Sequence, residues 1–321
     1  MAKAETCAVD QQPGGPLVAA VAVGYPLATF QRFVISLRLH YGGALTLMTG
    51  DKTVARDARQ LCCAHRARLI SGTAHGLNLS RILGIDAKDG TVRGESRSHA
   101  AAFSRFIAYA RLCSAGAHSL CLGVDFRDVI FQGDPFSWLQ HRFGDATAGP
   151  PDLIIALQLN TTHASSMINR NWVRTCFDDT VAAGMDKAAV INSGTVMGSA
   201  VGLQALAAVF STHLHRASRV RRGRGFVQSV QCNDQAMVNY AVHTRSGLLA
   251  GLNIEQQRHG DSFAASLFPF KRNPSLLRLS DSGLVLNDDG TPTPVVHQFD
   301  RLPRVRLGAL QAVASQLGVC P

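Results

Sequence analysis

Apolar runs and amphipathic stretches alternate along the first half of the chain. Leu17 to Val23 is unbroken apolar sequence ending at Gly24, the pattern of a strand buried on both faces. Thr29 reads as the N-cap of a helix from Phe30 to about His40. Phe30, Phe33, Val34 and Leu37 recur there at helical spacing, and Gly42-Gly43 stops it. Leu45 to Thr49 is a second strand that ends at Gly50-Asp51. Strand, helix and strand with short links predict a βαβ unit and hence a parallel sheet. The alternation continues with a strand over Ala67–Ile70, a helix over Ala100–Ala115, and strands over His118–Gly123 and Asp152–Ala156. Val190–Gly198 reads as a strand or turn around Asn192-Ser-Gly. Helices are expected from Ser199 to about His215 and over Cys232–Val242.

Residues 1–15 are small, polar and rich in Gly and Pro, and read as a disordered leader. No linker divides the rest. Residues 16–321 are therefore expected to form one α/β domain, with a mixed, mostly parallel sheet flanked by helices. The stretch of about 16–150 reads as a nucleotide-binding half and about 151–310 as an acceptor-side half.

Composition narrows the class. Apolar residues make up 46% and charged residues 17% of the 321, which suits a buried core and excludes disorder. The early apolar run is too short to cross a bilayer, and nothing before it has the form of a signal peptide. The chain reads as soluble, or as the catalytic part of a longer membrane-anchored protein. The net charge of +10 suits polyanionic partners: nucleic acid, acidic membranes or nucleotide diphosphates. The densest basic run, Arg216 to Arg224, lacks interleaved aromatics and reads as a solvated loop, so nucleic acid is not an expected partner. None of the eight cysteines forms a CxxC pair, which argues against a zinc ribbon. Cys113 and Cys121 lie in apolar stretches and read as small core residues. His213 and His215 would point to different faces of a helix, and Asp178-Asp179 and Asp288-Asp289 read as solvated loop residues.

Chemistry concentrates in Asp125-Phe-Arg-Asp128, two carboxylates directly after a buried strand. Hard divalent cations prefer oxygen ligands, and two carboxylates with substrate phosphate oxygens complete a common site. On spacing alone, the alternative is a turn cap and an ion pair with Arg127. Asp51 also follows a strand, so the crevice between the two strand ends is the expected site. There is no G-x-S-x-G elbow, P-loop or G-x-G-x-x-G.

Four segments resemble, in order, the motifs of GT-A-type nucleotide-diphospho-sugar transferases. Asp125 to Phe136 resembles the D-x-x-D-V-x-F-Q-x-D-P-F block, Asn192-Ser193-Gly194 the N-S-G segment, Asp234-Gln235 with Asn239 the D-Q-x-x-x-N helix start, and Val296 to Arg301 the V-H-Q-x-D-R segment. The resemblance implies a GT-A (Rossmann-like) fold and sugar transfer from a nucleotide-sugar donor to a glycan or other hydroxyl acceptor, with Mn²⁺ or Mg²⁺ as cofactor. It implies Asp125, Asp128 and His297 as metal ligands, Asp234 and Asp128 as catalytic residues, and Arg105, Asp125, Asn192, Gly194 and Gln235 at the donor. It leans towards retention at the anomeric carbon. Asp134-Pro-Phe136 and Phe131 read as structural. Two rival readings are a nucleotidyltransferase and a non-catalytic nucleotide- or sugar-binding module. The first would carry a basic phosphate loop after the first strand, where this chain has Gly24-Tyr-Pro-Leu-Ala-Thr29.

Overall fold

A computed structural model describes residues 14–49, 54, 56–71, 95–144, 150–218, 220–221, 230–271, 274–302 and 307–318. Seven strands form the main sheet: β1 (Leu17–Val21), β2 (Ala44–Thr49), β3 (Arg68–Ser71), β4 (Cys121–Val124), β6 (Leu153–Thr162), β7 (Ala189–Gly198) and β10 (Ile254–Gln257). Their order is β10-β6-β7-β4-β1-β2-β3. Only β7 runs against its neighbours; every other adjacent pair is parallel. The expected mixed α/β, mostly parallel architecture is therefore present.

Side chains of each strand alternate between two cores, as the pleat requires. Leu17 and Ala19 face one with Phe103, Phe106 and Phe210, while Val18 and Ala20 face the other with Phe30, Phe33 and Leu37. Helices α1 (Leu27–Arg38) and α2 (Arg56–Ala64) cover the second face. Helices α3 (Glu95–Ala115), α5 (Met167–Cys176), α6 (Asp179–Gly184), α7 (Ala200–Thr212) and α8 (Asp234–His243) cover the first. Phe106 stacks on Phe210 at 4.3 Å, fixing α3 against α7. The C-terminal carbonyls of α1 lack helical partners. Backbone N–H groups of Leu39, His40 and Tyr41 meet those of Ile35 and Leu37, while Arg38 ties the helix end to the turns beyond α1 and α2, donating to the carbonyls of Tyr41, Gly43, His65 and Arg66 at 2.7–3.0 Å.

A small second sheet, β11 (Ala264–Ser266), β12 (Val295–His297) and β5 (Val129–Phe131), packs Val129, Phe131 and Val295 onto the second core. Its other face meets a third cluster with Phe270, Phe299, Leu302 and Ala309, the last from α9 (Gly308–Gln316). Short α4 (Ser137–Phe143) follows Asp134-Pro-Phe136. Asp134 Oδ1 accepts from Phe136 N–H at 2.8 Å, and Phe131 and Phe136 are buried, so this segment is structural as expected.

Several expectations are corrected. Thr29 lies buried inside α1, which starts at Leu27 behind Pro26, because an extended Pro residue presets the helix entry. Cys113 and Cys121 are core residues as expected, and in addition form a disulfide joining the end of α3 to the start of β4. Asp178 is not simply solvated. It caps α6, accepting from Val181 N–H at 2.8 Å, and Asp179 sits in the first turn, where the helix dipole favours an acid. The helix from Ser199 ends at Thr212, and His215 sits in a separate 3₁₀ turn. The second acidic pair, Asp288-Asp289, does lie in an exposed turn. Asp51, Arg219, Arg222, Arg224 and most of the expected leader lie outside the described residues.

One irregularity positions the site. Between Val196↔Ile155 and Ile191↔Leu157, β7 advances five residues while β6 advances two. The three surplus residues lie among Asn192–Thr195, a bulge that re-aims the strand. The backbone of Ile191 is satisfied instead by Asn239 of α8. Asn239 Oδ1 accepts from Ile191 N–H at 2.8 Å, and its Nδ2 donates to Ile191 O at 2.9 Å.

Candidate active site

β4 delivers Asp125 to the carboxyl edge of the parallel strands, where its N–H donates to Gly194 O at 2.8 Å. Asp128 immediately precedes β5. Antiparallel pairing of β5 with β12 sets His297 opposite Val129, so the ring arrives beside Asp128 by register. Gln298 N–H donates to Asp128 O at 2.6 Å, with Gln298 in the left-handed region at φ 59°. His297 Nε2 lies 3.1 Å from Asp125 Oδ2 and 3.6 Å from Asp128 Oδ1. Gly194 packs its bare Cα against the His297 ring.

One ligand atom from each of Asp125, Asp128 and His297 can be chosen so that all lie within 4.8 Å of one another. Two carboxylates and an imidazole form a mixed O,N set that suits Mn²⁺. His297 Nδ1 is buried without a hydrogen-bond partner. Burial would raise the Asp128 carboxyl. The hydrogen bond and charge of His297, with Arg127 beside it, outweigh this and hold it well below the usual carboxylate range. Asp128 is thus ionised and ready to ligate.

Arg105 reaches in from α3 and is almost fully buried. One side of its guanidinium pairs with Asp125. Its Nη2 donates to Ser193 O at 2.9 Å and pairs with Asp234. Asp234 opens α8, where Asn233 caps the helix by accepting from Ala236 N–H at 2.9 Å. The charge sequence Asp125–Arg105–Asp234 therefore links the carboxylate–imidazole cluster to the start of α8. Arg105, expected from sequence at the donor, is thus the ion-pair partner of both Asp125 and Asp234.

The other expected donor residues are placed differently. Asn192 turns inward: its Oδ1 accepts from Gly194 N–H at 2.7 Å and its Nδ2 donates to Ser266 Oγ at 3.1 Å. It shapes the bulge. Gln235 points to α5, donating from Nε2 to Asn169 Oδ1 at 2.6 Å. The structure thus gathers Asp125, Asp128, His297, Arg105, Gly194 and Asp234, and turns Asn192 and Gln235 aside.

A pocket of about 210 Å³ opens here, walled by Tyr25, Arg105, Asp125, Phe126, Arg127 and Asp128. Sequence reasoning missed Tyr25, Phe126 and Arg127 as wall residues. The signal available was their nearness to strand ends, Tyr25 after β1 and Phe126-Arg127 within the Asp125–Asp128 turn. Tyr25 leans on Phe126 at 5.5 Å, and burial raises its hydroxyl pKa. Tyr109 supports the floor: its hydroxyl donates to Val124 O at 2.9 Å, and its ring fills the space a side chain on Gly123 would need. A larger cavity of about 700 Å³ lies between α3, α7 and the strand starts at Leu17 and Arg68. None of the site carboxylates lines it, so the smaller pocket is the one that bears on chemistry.

No known protein family and no curated protein matches the chain. Among solved structures it is similar to the bifunctional glycosyltransferase WbbM, at 12% identity and TM-score 0.41, over 77% of this chain and 39% of that one. It is also similar to glucosyl-3-phosphoglycerate synthase from Mycobacterium tuberculosis in complex with UDP, at 13% identity and TM-score 0.41, over 96% of this chain and 82% of that one. A third is the glycosyltransferase GlyE of Streptococcus pneumoniae, at 11% identity and TM-score 0.41, over 94% of this chain and 60% of that one. The chain spans about two fifths of the WbbM chain. Among the described residues, no helix is long and apolar enough to cross a membrane.

Proposed function

We propose that this chain is a divalent-metal-assisted glycosyltransferase that moves a sugar from a nucleotide-diphospho-sugar to an acceptor hydroxyl. The observation that carries it is the Asp125–Asp128–His297 cluster at the carboxyl edge of the sheet, joined through Arg105 to Asp234. Asp125, Asp128 and His297 would hold Mn²⁺ or Mg²⁺, which when bound neutralises the charge that develops on a departing diphosphate.

The chain's own residues do the rest. Arg105 pairs with both Asp125 and Asp234 and so holds the two carboxylates on either side of one guanidinium. Its guanidinium is desolvated, so it acts on a leaving diphosphate more strongly than a surface arginine would. The Tyr25–Phe126 wall offers an apolar surface beside the charged floor. Asp234 is the carboxylate placed to act on the sugar side, as base or as electrostatic partner of the anomeric centre.

A pocket of about 210 Å³ suits the diphosphate end of a donor better than a whole nucleotide-sugar. The first test is calorimetric titration of UDP and GDP with and without Mn²⁺, followed by a screen of nucleotide-sugars for hydrolysis. Metal-dependent binding and turnover in the native chain are expected. Asp128→Ala should lose turnover while keeping its circular dichroism spectrum. Metal-independent binding, or none, refutes the reading.

A further inference from the structure

The segment Cys232–Gln235 is clamped to α5 at two points on either side of Asp234. Cys232 follows β9 (Val230–Gln231), which pairs with β8 (Val220–Arg221), and forms a disulfide with Cys176, the last residue of α5; both are fully buried. Cys176 Sγ lies 3.7 Å from Asn233 O, so the bond packs against the residue that caps α8. On the other side, Gln235 donates to Asn169 of the same helix at 2.6 Å. Two further contacts hold α5's end in place. Arg216 Nη1 donates to Cys176 O at 2.8 Å, and Phe177 stacks on Tyr240 of α8 at 3.9 Å.

On the opposite side Asp234 pairs with Arg105, whose guanidinium is shared with Asp125. The position of the Asp234 carboxylate is thus set by the covalent tie on one side and an ion pair on the other. Loss of the tie leaves a helix start held by hydrogen bonds that can slide along α5. Among the described residues, the Cys113–Cys121 disulfide makes no contact of this kind with α8: it joins the end of α3, eight residues beyond Arg105, to the start of β4, the end away from Asp125.

We propose that the Cys176–Cys232 disulfide is a positioning element for Asp234, so that sugar transfer requires it oxidised. The proposal rests on the glycosyltransferase reading of Asp234. Disulfides persist in oxidising surroundings, so full activity belongs to such a setting. Reduction by a dithiol passes two electrons and two protons to the bond, leaving two thiols on the chain and a disulfide in the reductant.

The test compares the full-length native chain with C176S/C232S and C113S/C121S. Readouts are kcat and KM for the nucleotide-sugar, Mn²⁺ affinity by calorimetry, and hydrogen exchange at the Asn233–Ala236 amides. Removing the Cys176–Cys232 bond should lower kcat roughly 10–100-fold, the scale of an ångström-sized misplacement. KM and Mn²⁺ affinity should stay within about two-fold, because the metal ligands lie beyond Arg105. Exchange at Ala236 should quicken. C113S/C121S should leave kcat within about two-fold. If C176S/C232S does not fold, C113S/C121S is titrated with dithiol under circular dichroism, and the lost kcat should return on reoxidation. Unchanged kcat without the bond, or an equal loss in C113S/C121S, overturns the proposal. Failure of the parent reading looks different: the oxidised chain then turns over no nucleotide-sugar, yet exchange at Asn233–Ala236 still responds to the bond.

Discussion

Gly194→Ala tests the cluster geometry without touching a ligand. The Cα of Gly194 faces the His297 ring, and an added Cβ would stand 2.5 Å from Nε2 and closer still to Cε1. Ordinary contact begins near 3.4 Å, so the ring must retreat by about 1 Å. Its backbone cannot follow, because β12 is paired on both sides, to β5 and to β11. The ring must therefore rotate, carrying Nε2 away from Asp125 and Asp128, now 3.1 Å and 3.6 Å distant. Overpacking of this kind costs about 1–3 kcal/mol of stability. Disturbing the orientation of a metal ligand costs roughly 10–100-fold in affinity, or about 1.4–2.7 kcal/mol. Titration of Mn²⁺ in the presence of UDP should show that loss, with thermal denaturation reporting the packing cost separately. Gly133→Ala is the control, since its Cβ would meet Pro294 Cα at an ordinary 3.4 Å. If Gly194→Ala binds Mn²⁺ within about two-fold of the native chain, His297 is not a ligand and the cluster geometry is misread.

Two further predictions concern stability. Burial lowers the pKa of His163 and His243, which lie with ring centroids 6.2 Å apart near Asn239 and Asp186. They stay neutral in the fold while the unfolded chain takes up protons near pH 6.5, so stability should decline as pH falls below about 6.5, by at most roughly 1.4 kcal/mol per pH unit for each histidine. Asp128, held low in the fold, should add a second loss below about pH 4. Urea denaturation from pH 7.5 to 3 checks both, and a flat curve between pH 7 and 5 refutes the first. Asn239→Leu should cost about 2–5 kcal/mol, because it strands the Ile191 N–H and carbonyl in a buried bulge. A urea midpoint within error of the native chain would show that the bulge finds other partners.

The strands of the main sheet were legible wherever they are apolar on both faces, as in β1, β2 and β4. β10 was not, because Ile254-Glu-Gln-Gln257 is a sheet edge with polar positions that carry no apolar run. β5, β11 and β12 are three residues each, too short for any period to emerge. Asp125, Asp128 and His297 were reachable through ordered motifs, yet only the β5–β12 register shows why the imidazole meets the carboxylates. Asn192 and Gln235 were assigned to the donor by motif position. Their side chains are taken up by Gly194, two residues on, and by Ser266 and Asn169, which lie 74 and 66 residues away in sequence. Cysteine pairing was equally hidden, because Cys176 and Cys232 meet only once α5 and α8 pack.

The β5–β12 pairing also orders events in time. Asp125 and Asp128 leave the ribosome 172 and 169 residues before His297. At roughly 5–20 residues per second, the two carboxylates wait about 10–30 s for their imidazole. During that interval the sheet around β1, β2 and β4 can form, with Arg105 as the partner Asp125 already has. The three-ligand cluster closes only when the small sheet zips onto the finished core. Metal capture, on the proposed reading, would then be the last step of assembly, and an ion held by all three ligands would certify that β12 has docked.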